Sequence, residues 1–117
     1  MATLTKAQLR NRVLQHLGVL GSGQTARADD ADVVDEAIDA AHARLRKPGL
    51  VPFATSAVPE WAQVPLRDYV AGDVAQLFGY GAERIGEFKA GQRAGEAELA
   101  RQVAGFRHKV PIRGTYF

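Results

Sequence analysis

The chain has 117 residues, which fits one domain and leaves no room for separate catalytic and substrate-binding domains. Its 15 basic and 13 acidic residues nearly balance, so the total charge does not indicate nucleic-acid binding. The lack of cysteine excludes disulfides and thiolate metal sites. The chain lacks any apolar run of about 18 residues, and its N-terminal stretch lacks the apolar core of a signal peptide. We therefore expect neither a membrane span nor secretion.

Charge is sorted along the chain. Residues 1–28 contain no acid, residues 29–39 contain six acids and no base, and no acid follows Glu98. Opposite flanks of this kind suit a ring in which each subunit packs on its neighbour, although sorting by helix dipoles explains the pattern equally well. The candidate subunit contacts in these segments are Asp32, Asp35, Asp39, Arg10 and Arg12.

Two helices are predicted in the first half of the chain. Thr5 and Gln8 have the spacing of a capping box, and Gly18 stands where a left-handed cap would end the helix. A Gly-rich loop follows. The second helix begins near Asp29, has its acids in the first turns and its bases at the end, and stops at Pro48.

The third helix is predicted to be the central one. Residues 50–60 before it are apolar but broken by Pro52 and Pro59, which indicates an irregular connection or a short strand. The helix begins at Pro59 or Pro65, since proline suits a first turn. Its predicted buried face consists of Trp61, Val64, Leu66, Tyr69, Val70, Val74, Leu77 and Phe78.

A fourth helix is predicted from about residue 82 to residue 103. Gly91 and Gly95 lie four residues apart on it, and small residues at that spacing allow another backbone to approach closely. The glycines could instead only weaken the helix, by about 1 kcal/mol each. We interpret them as a candidate helix–helix contact, within or between subunits.

The predicted fold is all-α: a small four-helix bundle over residues 1–104, with a proline-broken connection and an extended C-terminal arm over residues 105–117. Gly105, Pro111 and Gly114 argue against a helix throughout the arm. Large apolar side chains alternate with bases there, which favours binding in a groove of another protein over folding back on the core. The candidate binding residues of the arm are Phe106, Arg107, Lys109, Val110, Ile112, Arg113, Tyr116 and Phe117.

No motif typical of an active site is present. His16, His42 and His108 are scattered and lack the spacing of metal ligands. The segment Gly21–Thr25 lacks the lysine of a phosphate-binding loop and follows a helix rather than a strand. We predict no enzymatic activity, no metal and no cofactor.

The order of these segments resembles that of the head-to-tail adaptors of tailed bacteriophages, which include tail accessory factors and head-completion proteins. The resemblance covers residues 3–103 and rests on order rather than on an invariant motif. It is carried by the opening Thr5–Leu9 with Leu17–Val19, the acidic second helix, the proline-broken connection and the apolar helix Trp61–Phe78.

This resemblance implies a structural protein of the virion neck, assembled in the host cytoplasm as a ring, commonly twelve-fold, against the portal protein. The C-terminal arm would contact the portal, and the next tail component would bind the opposite side. DNA would pass through the central hole without being read.

Two other functions compete with this one. The first two helices suggest a small helix-turn-helix-like DNA-binding regulator, but the acids that open the second helix would repel phosphates, and the intervening loop is too long. A protein–protein adaptor unrelated to phage, such as a toxin–antitoxin or secretion component, is the other alternative.

Overall fold

Four α-helices make up the fold in the computed structural model, which describes residues 3–21 and 23–109, the last three by their backbone only. Leu4 and Val58 pair in an isolated antiparallel bridge, and no strand forms in the described ranges. The predicted all-α helical bundle is confirmed. The helices are α1 Lys6–Leu17, α2 Ala28–Arg46, α3 Glu60–Val74 and α4 Ala82–Lys109, with a 3₁₀ turn at Ala75–Phe78 after α3.

The ends of α1 are set by the predicted local interactions. The hydroxyl of Thr5 accepts a hydrogen bond from the backbone N–H of Gln8 at 3.2 Å, and the Gln8 side chain accepts one from the Thr5 N–H at 2.9 Å. Gly18 ends the helix in the left-handed conformation, with φ of 82°. A residue without a Cβ adopts this conformation without strain, which is why glycine stands there.

Helix α3 is the centre of the bundle, because it contacts each of the other three helices. The helices bury one apolar stripe each against it, so the core lies around α3. The largest fully buried side chains are Leu9, Leu14, Leu17, Ile38, Leu66, Leu99, Val13, Val34, Val58, Val70 and Val74.

Two residues predicted in the buried face of α3 are exposed. Val64 is 53% exposed and Leu77 is 62% exposed. Leu77 leaves the stripe because the chain turns as a 3₁₀ helix from Ala75, which changes the rotation per residue. Val64 lies off the side of α3 that its neighbours cover. The prediction from the apolar composition of this segment therefore included more residues in the buried face of α3 than the structure buries.

Of the two prolines predicted to begin α3, Pro59 and Pro65, it is Pro59 that stands at the start. Pro59 is the residue before the helix, with φ of −70° and ψ of 159°, and Glu60 is the first helical residue. Pro65 lies inside the helix and is buried. Because proline has no N–H, the carbonyl of Trp61 lacks its usual helical donor.

Helix α4 is longer than predicted. It continues through Gly105 to Lys109, so the predicted boundary between residues 104 and 105 falls inside the helix and the start of the predicted arm is helical, not extended. A glycine within a helix costs only about 1 kcal/mol, and Phe106 offsets this by packing on Trp61. Residues 110–117 of the predicted arm lie outside the described part of the chain.

Candidate functional site

Most of the charged residues predicted as subunit contacts lie along the seam between α1 and α2. The Nζ of Lys6 is 2.8 Å from Oδ2 of Asp39, and Nη1 of Arg10 is 3.4 Å from Oδ2 of Asp35. The two helices run antiparallel, so the basic α1 and the acidic α2 face each other within one chain. The sorting of charge in the sequence therefore supplies two ion pairs between α1 and α2 within one chain.

The contact between α1 and α2 stabilises the carboxylate of Asp35 more than that of Asp39. Its Oδ1 is buried and has no hydrogen-bond partner, while its Oδ2 faces Arg10. A buried carboxylate oxygen without a donor is costly, and the nearby guanidinium is the compensating charge. Asp39 is 60% exposed and is solvated, so its contact with Lys6 contributes less.

The other two charged candidates are not paired within the described residues. Arg12 on α1 and Asp32 on α2 are both exposed. Arg12 lines a groove of about 540 Å³ that runs over α1 and reaches Arg67 of α3. Asp32 lies between the exposed acids Asp29 and Glu36 on one side of α2.

The two glycines of α4 have different environments. A Cβ at Gly95 would lie 2.5 Å from the backbone oxygen of Pro65, so Gly95 is a close contact between α4 and α3. A Cβ at Gly91 would meet nothing within 4 Å. The second close contact comes from Gly72 of α3, where a Cβ would lie 2.9 Å from the oxygen of Phe88. The sequence pattern missed Gly72, because no second glycine lies four residues from it.

A polar cluster joins α2, α3 and α4. Asp73 accepts hydrogen bonds from the guanidinium of Arg44 and from Nε2 of Gln92, the latter at 2.6 Å. The Arg44 guanidinium also lies 5.4 Å from the ring centre of Tyr69. The hydrogen bond to Asp73 raises the pKa of Arg44, and burial raises the pKa of the Tyr69 hydroxyl. This cluster fixes the three helices in register.

A second polar cluster lies where α1, α3 and α4 meet. Nε2 of His16 is 3.4 Å from Oδ1 of Asp68, and the His16 ring packs edge-on against Phe88 at 5.7 Å. Burial is the main reason that the pKa of His16 is lowered, followed by the positive charge of Arg67, with Asp68 opposing. The cavities on either side of His16 have no hydroxyl or thiol in their lining. The lining of these two cavities therefore offers the pair no side-chain nucleophile.

A row of aromatic rings closes the opposite end of the bundle. Nε2 of His42 lies 2.6 Å from the carbonyl of Phe53, whose ring is 5.6 Å from that of Trp61. Trp61 in turn contacts Phe106 edge-on at 5.0 Å. Phe106 is 39% exposed, so the row ends at the surface.

Among the predicted arm residues, Phe106 is the one whose side chain the structure describes. Its contact with Trp61 corresponds to the alternative in which the segment packs on its own core. The backbone at Arg107 and Lys109 is helical. The other predicted arm residues lie outside the described part of the chain: Val110, Ile112, Arg113, Tyr116 and Phe117.

The described residues form neither a metal-binding cluster nor a membrane-spanning helix. No group of three or more His, Cys, Asp or Glu side chains there is arranged to hold a metal ion. No helix in the same ranges combines the length and the apolar character needed to cross a membrane.

Comparison of the chain with protein-family models, with curated proteins and with solved structures found no match.

Proposed function

We propose that this chain is a head-to-tail adaptor of a tailed bacteriophage, a structural protein of the virion neck rather than an enzyme. The order of its segments resembles that family, and its all-α bundle is of the kind that the resemblance implies. In this function copies of the chain form a ring between the portal protein and the next tail component. DNA passes through the ring without being read.

The observation that supports the portal contact most is the exposed end of the aromatic row. Phe106 packs on Trp61, which is the second residue of α3, so the backbone of α4 after Phe106 continues beyond the start of α3. This end of α4 is rich in bases, with Arg107 and Lys109. A partly exposed aromatic side chain beside positive charge is typical of a protein-binding surface.

The shape and charge of the chain support assembly. Its extents are 56 × 29 × 21 Å, an elongated form that can pack side by side around an axis. Arg12 on α1 and Asp32 on α2 have no ion-pair partner within the described residues. Unpaired charges of opposite sign on two helices are available for a neighbouring copy.

The test is the native mass of this protein mixed with the portal ring encoded beside it. A discrete complex with one copy per portal subunit supports the proposal. If a folded, soluble chain does not bind the portal, the proposal is wrong. Binding to random duplex DNA that weakens steeply with salt would then favour the DNA-binding alternative.

Two matched variants locate the contact. Phe106→Ala is expected to weaken portal binding at least about 10-fold, which corresponds to about 1.4 kcal/mol. Leu77→Ala removes another exposed apolar side chain, in the 3₁₀ turn after α3, and is expected to leave portal binding unchanged. Equal effects of the two variants would place the portal contact elsewhere.

A further inference from the structure

The outer side of α2 carries a row of unpaired acids, which we call the acidic stripe: Asp29, Asp32 and Glu36. They are three and four residues apart, so they lie on one side of the helix over two turns. All three side chains are exposed, and none has an ion-pair partner within the described residues. Two other acids of α2, Asp35 and Asp39, form ion pairs with Arg10 and Lys6 of α1 within the chain.

The groove over α1 has the opposite charge. Its volume is about 540 Å³, and its lining contains two arginines and no carboxylate. Arg12 is exposed and has no partner among the described residues, whereas Arg67 is bound to Asp68 at 2.8 Å. Three amide side chains and His16 complete the polar lining from α1; the amides are Gln8, Asn11 and Gln15.

We propose that the acidic stripe of one copy binds in the α1 groove of a second copy. This contact deepens the ring assembly proposed above, and it rests on that proposal because it requires copies of the chain to associate. Gln8, Arg12 and Gln15 span two turns of α1, about 10 Å. The acidic stripe has the same length on α2. Carboxylates accept hydrogen bonds from guanidinium and amide donors, so each stripe residue meets a donor of the groove.

A second copy fits the groove better than a nucleic acid does. Affinity for a phosphate backbone comes from many uncompensated Lys and Arg side chains, and the groove offers one, Arg12. Amide side chains donate and accept, which suits another protein surface more than a chain of phosphates.

In a ring this contact is heterologous: the groove of each copy binds one neighbour and its stripe binds the other. Every copy that binds a neighbour through its groove keeps its own stripe free for the next one. Such a contact repeats head to tail and closes into a ring when the rotation between copies allows it.

Engineered cysteines test whether the two surfaces meet, because the natural chain has none. Mixing Gln15→Cys with Asp32→Cys under mild oxidation is expected to give the mixed disulfide at least about 10-fold faster than mixing Gln15→Cys with Ala100→Cys. Ala100 is exposed on α4, away from both surfaces, and serves as the control. Salt is expected to slow only the first reaction. Equal rates for the two pairs would overturn the proposal.

Charge reversal gives an independent test of the same contact. Arg12→Glu and Asp32→Arg are each expected to lose self-association at the protein concentration at which the natural chain self-associates. Their mixture is expected to regain it, because each contact then joins opposite charges. Arg93→Glu makes the same charge change at an exposed residue of α4 and is expected to associate normally. A mixture that behaves like the single variants would overturn the contact.

The proposed contact between copies and the proposed adaptor function can be tested separately. If the natural chain binds the portal but Gln15→Cys and Asp32→Cys do not cross-link, the α1–α2 contact is wrong and the adaptor proposal stands. If self-association through these surfaces occurs without portal binding, the adaptor proposal is wrong and the contact stands.

Discussion

Gly95 of α4 lies directly against the backbone carbonyl of Pro65 in α3. A Cβ at this position would be 2.5 Å from the carbonyl oxygen, closer than real Cβ atoms approach. The backbone cannot rotate away as a flexible side chain would, so the two helices would have to separate. Gly91 is one turn earlier on α4 and has open space where its Cβ would be.

These two glycines are expected to respond oppositely to the same substitution. Gly95→Ala should lower the free energy of unfolding by about 1–3 kcal/mol, because the added methyl group overpacks the α3–α4 contact. Gly91→Ala should raise it by about 0.5–1 kcal/mol, because alanine favours the helix and the site has room. Urea unfolding of both variants measures this difference, and destabilisation by Gly91→Ala would show that its side of α4 is covered.

Phe106 is expected to stabilise the bundle as well as to bind the portal. Phe106→Ala should lower the free energy of unfolding by about 1–2 kcal/mol, less than the about 3–5 kcal/mol of a fully buried phenylalanine, because the ring is 39% exposed. A double-mutant cycle with Trp61→Ala should give a coupling of about 0.5–1.5 kcal/mol. A coupling near zero would mean that the Phe106 ring is free of Trp61 in solution.

The two ion pairs of the α1–α2 seam should differ in strength. Arg10→Ala leaves the buried oxygen of Asp35 without its compensating charge and is expected to cost about 1–2 kcal/mol. Lys6→Ala breaks a more exposed pair and should cost less than about 1 kcal/mol. Thermal unfolding of the two variants at low and moderate salt provides the comparison. A larger loss for Lys6→Ala would contradict the assignment of the buried charge to Asp35.

His16 is expected to make stability depend on pH. Its pKa is lowered in the folded chain, chiefly by burial, so the unfolded chain binds the proton more readily. Its contribution is therefore fully present above about pH 6.5 and is lost as the pH falls through the lowered pKa of the folded state. In urea unfolding at about pH 7.5 and about pH 5.5, His16→Gln should lose less stability on acidification than the natural chain. An equal loss in both would show that His16 is not desolvated.

The positions of α1 and α2 were predictable because their signals are local. The Thr5–Gln8 capping box acts within three residues, and Gly18 caps the helix that directly precedes it. The apolar stripes of these helices repeat with the period of a helix, and the structure buries them, from Leu9 to Leu17 and from Val34 to Leu45.

The end of α4 and the buried face of α3 were less predictable. A glycine in the sequence, Gly105, is compatible both with ending a helix and with continuing it, and the contact of Phe106 with Trp61 decides between them. Val64 belongs to an apolar segment, but its exposure depends on which sides of α3 the other helices cover.

The sequence by itself determined the all-α bundle and the segregation of charge, because helix caps, apolar periodicity and net charge are properties of neighbouring residues. Only the tertiary structure decided which charges and which glycines make contacts. Arg10 contacts Asp35, which is 25 residues away in the sequence, and Gly95 of α4 contacts Pro65 of α3. Such pairs depend on how the helices pack, and packing is a property of surfaces that are distant along the chain.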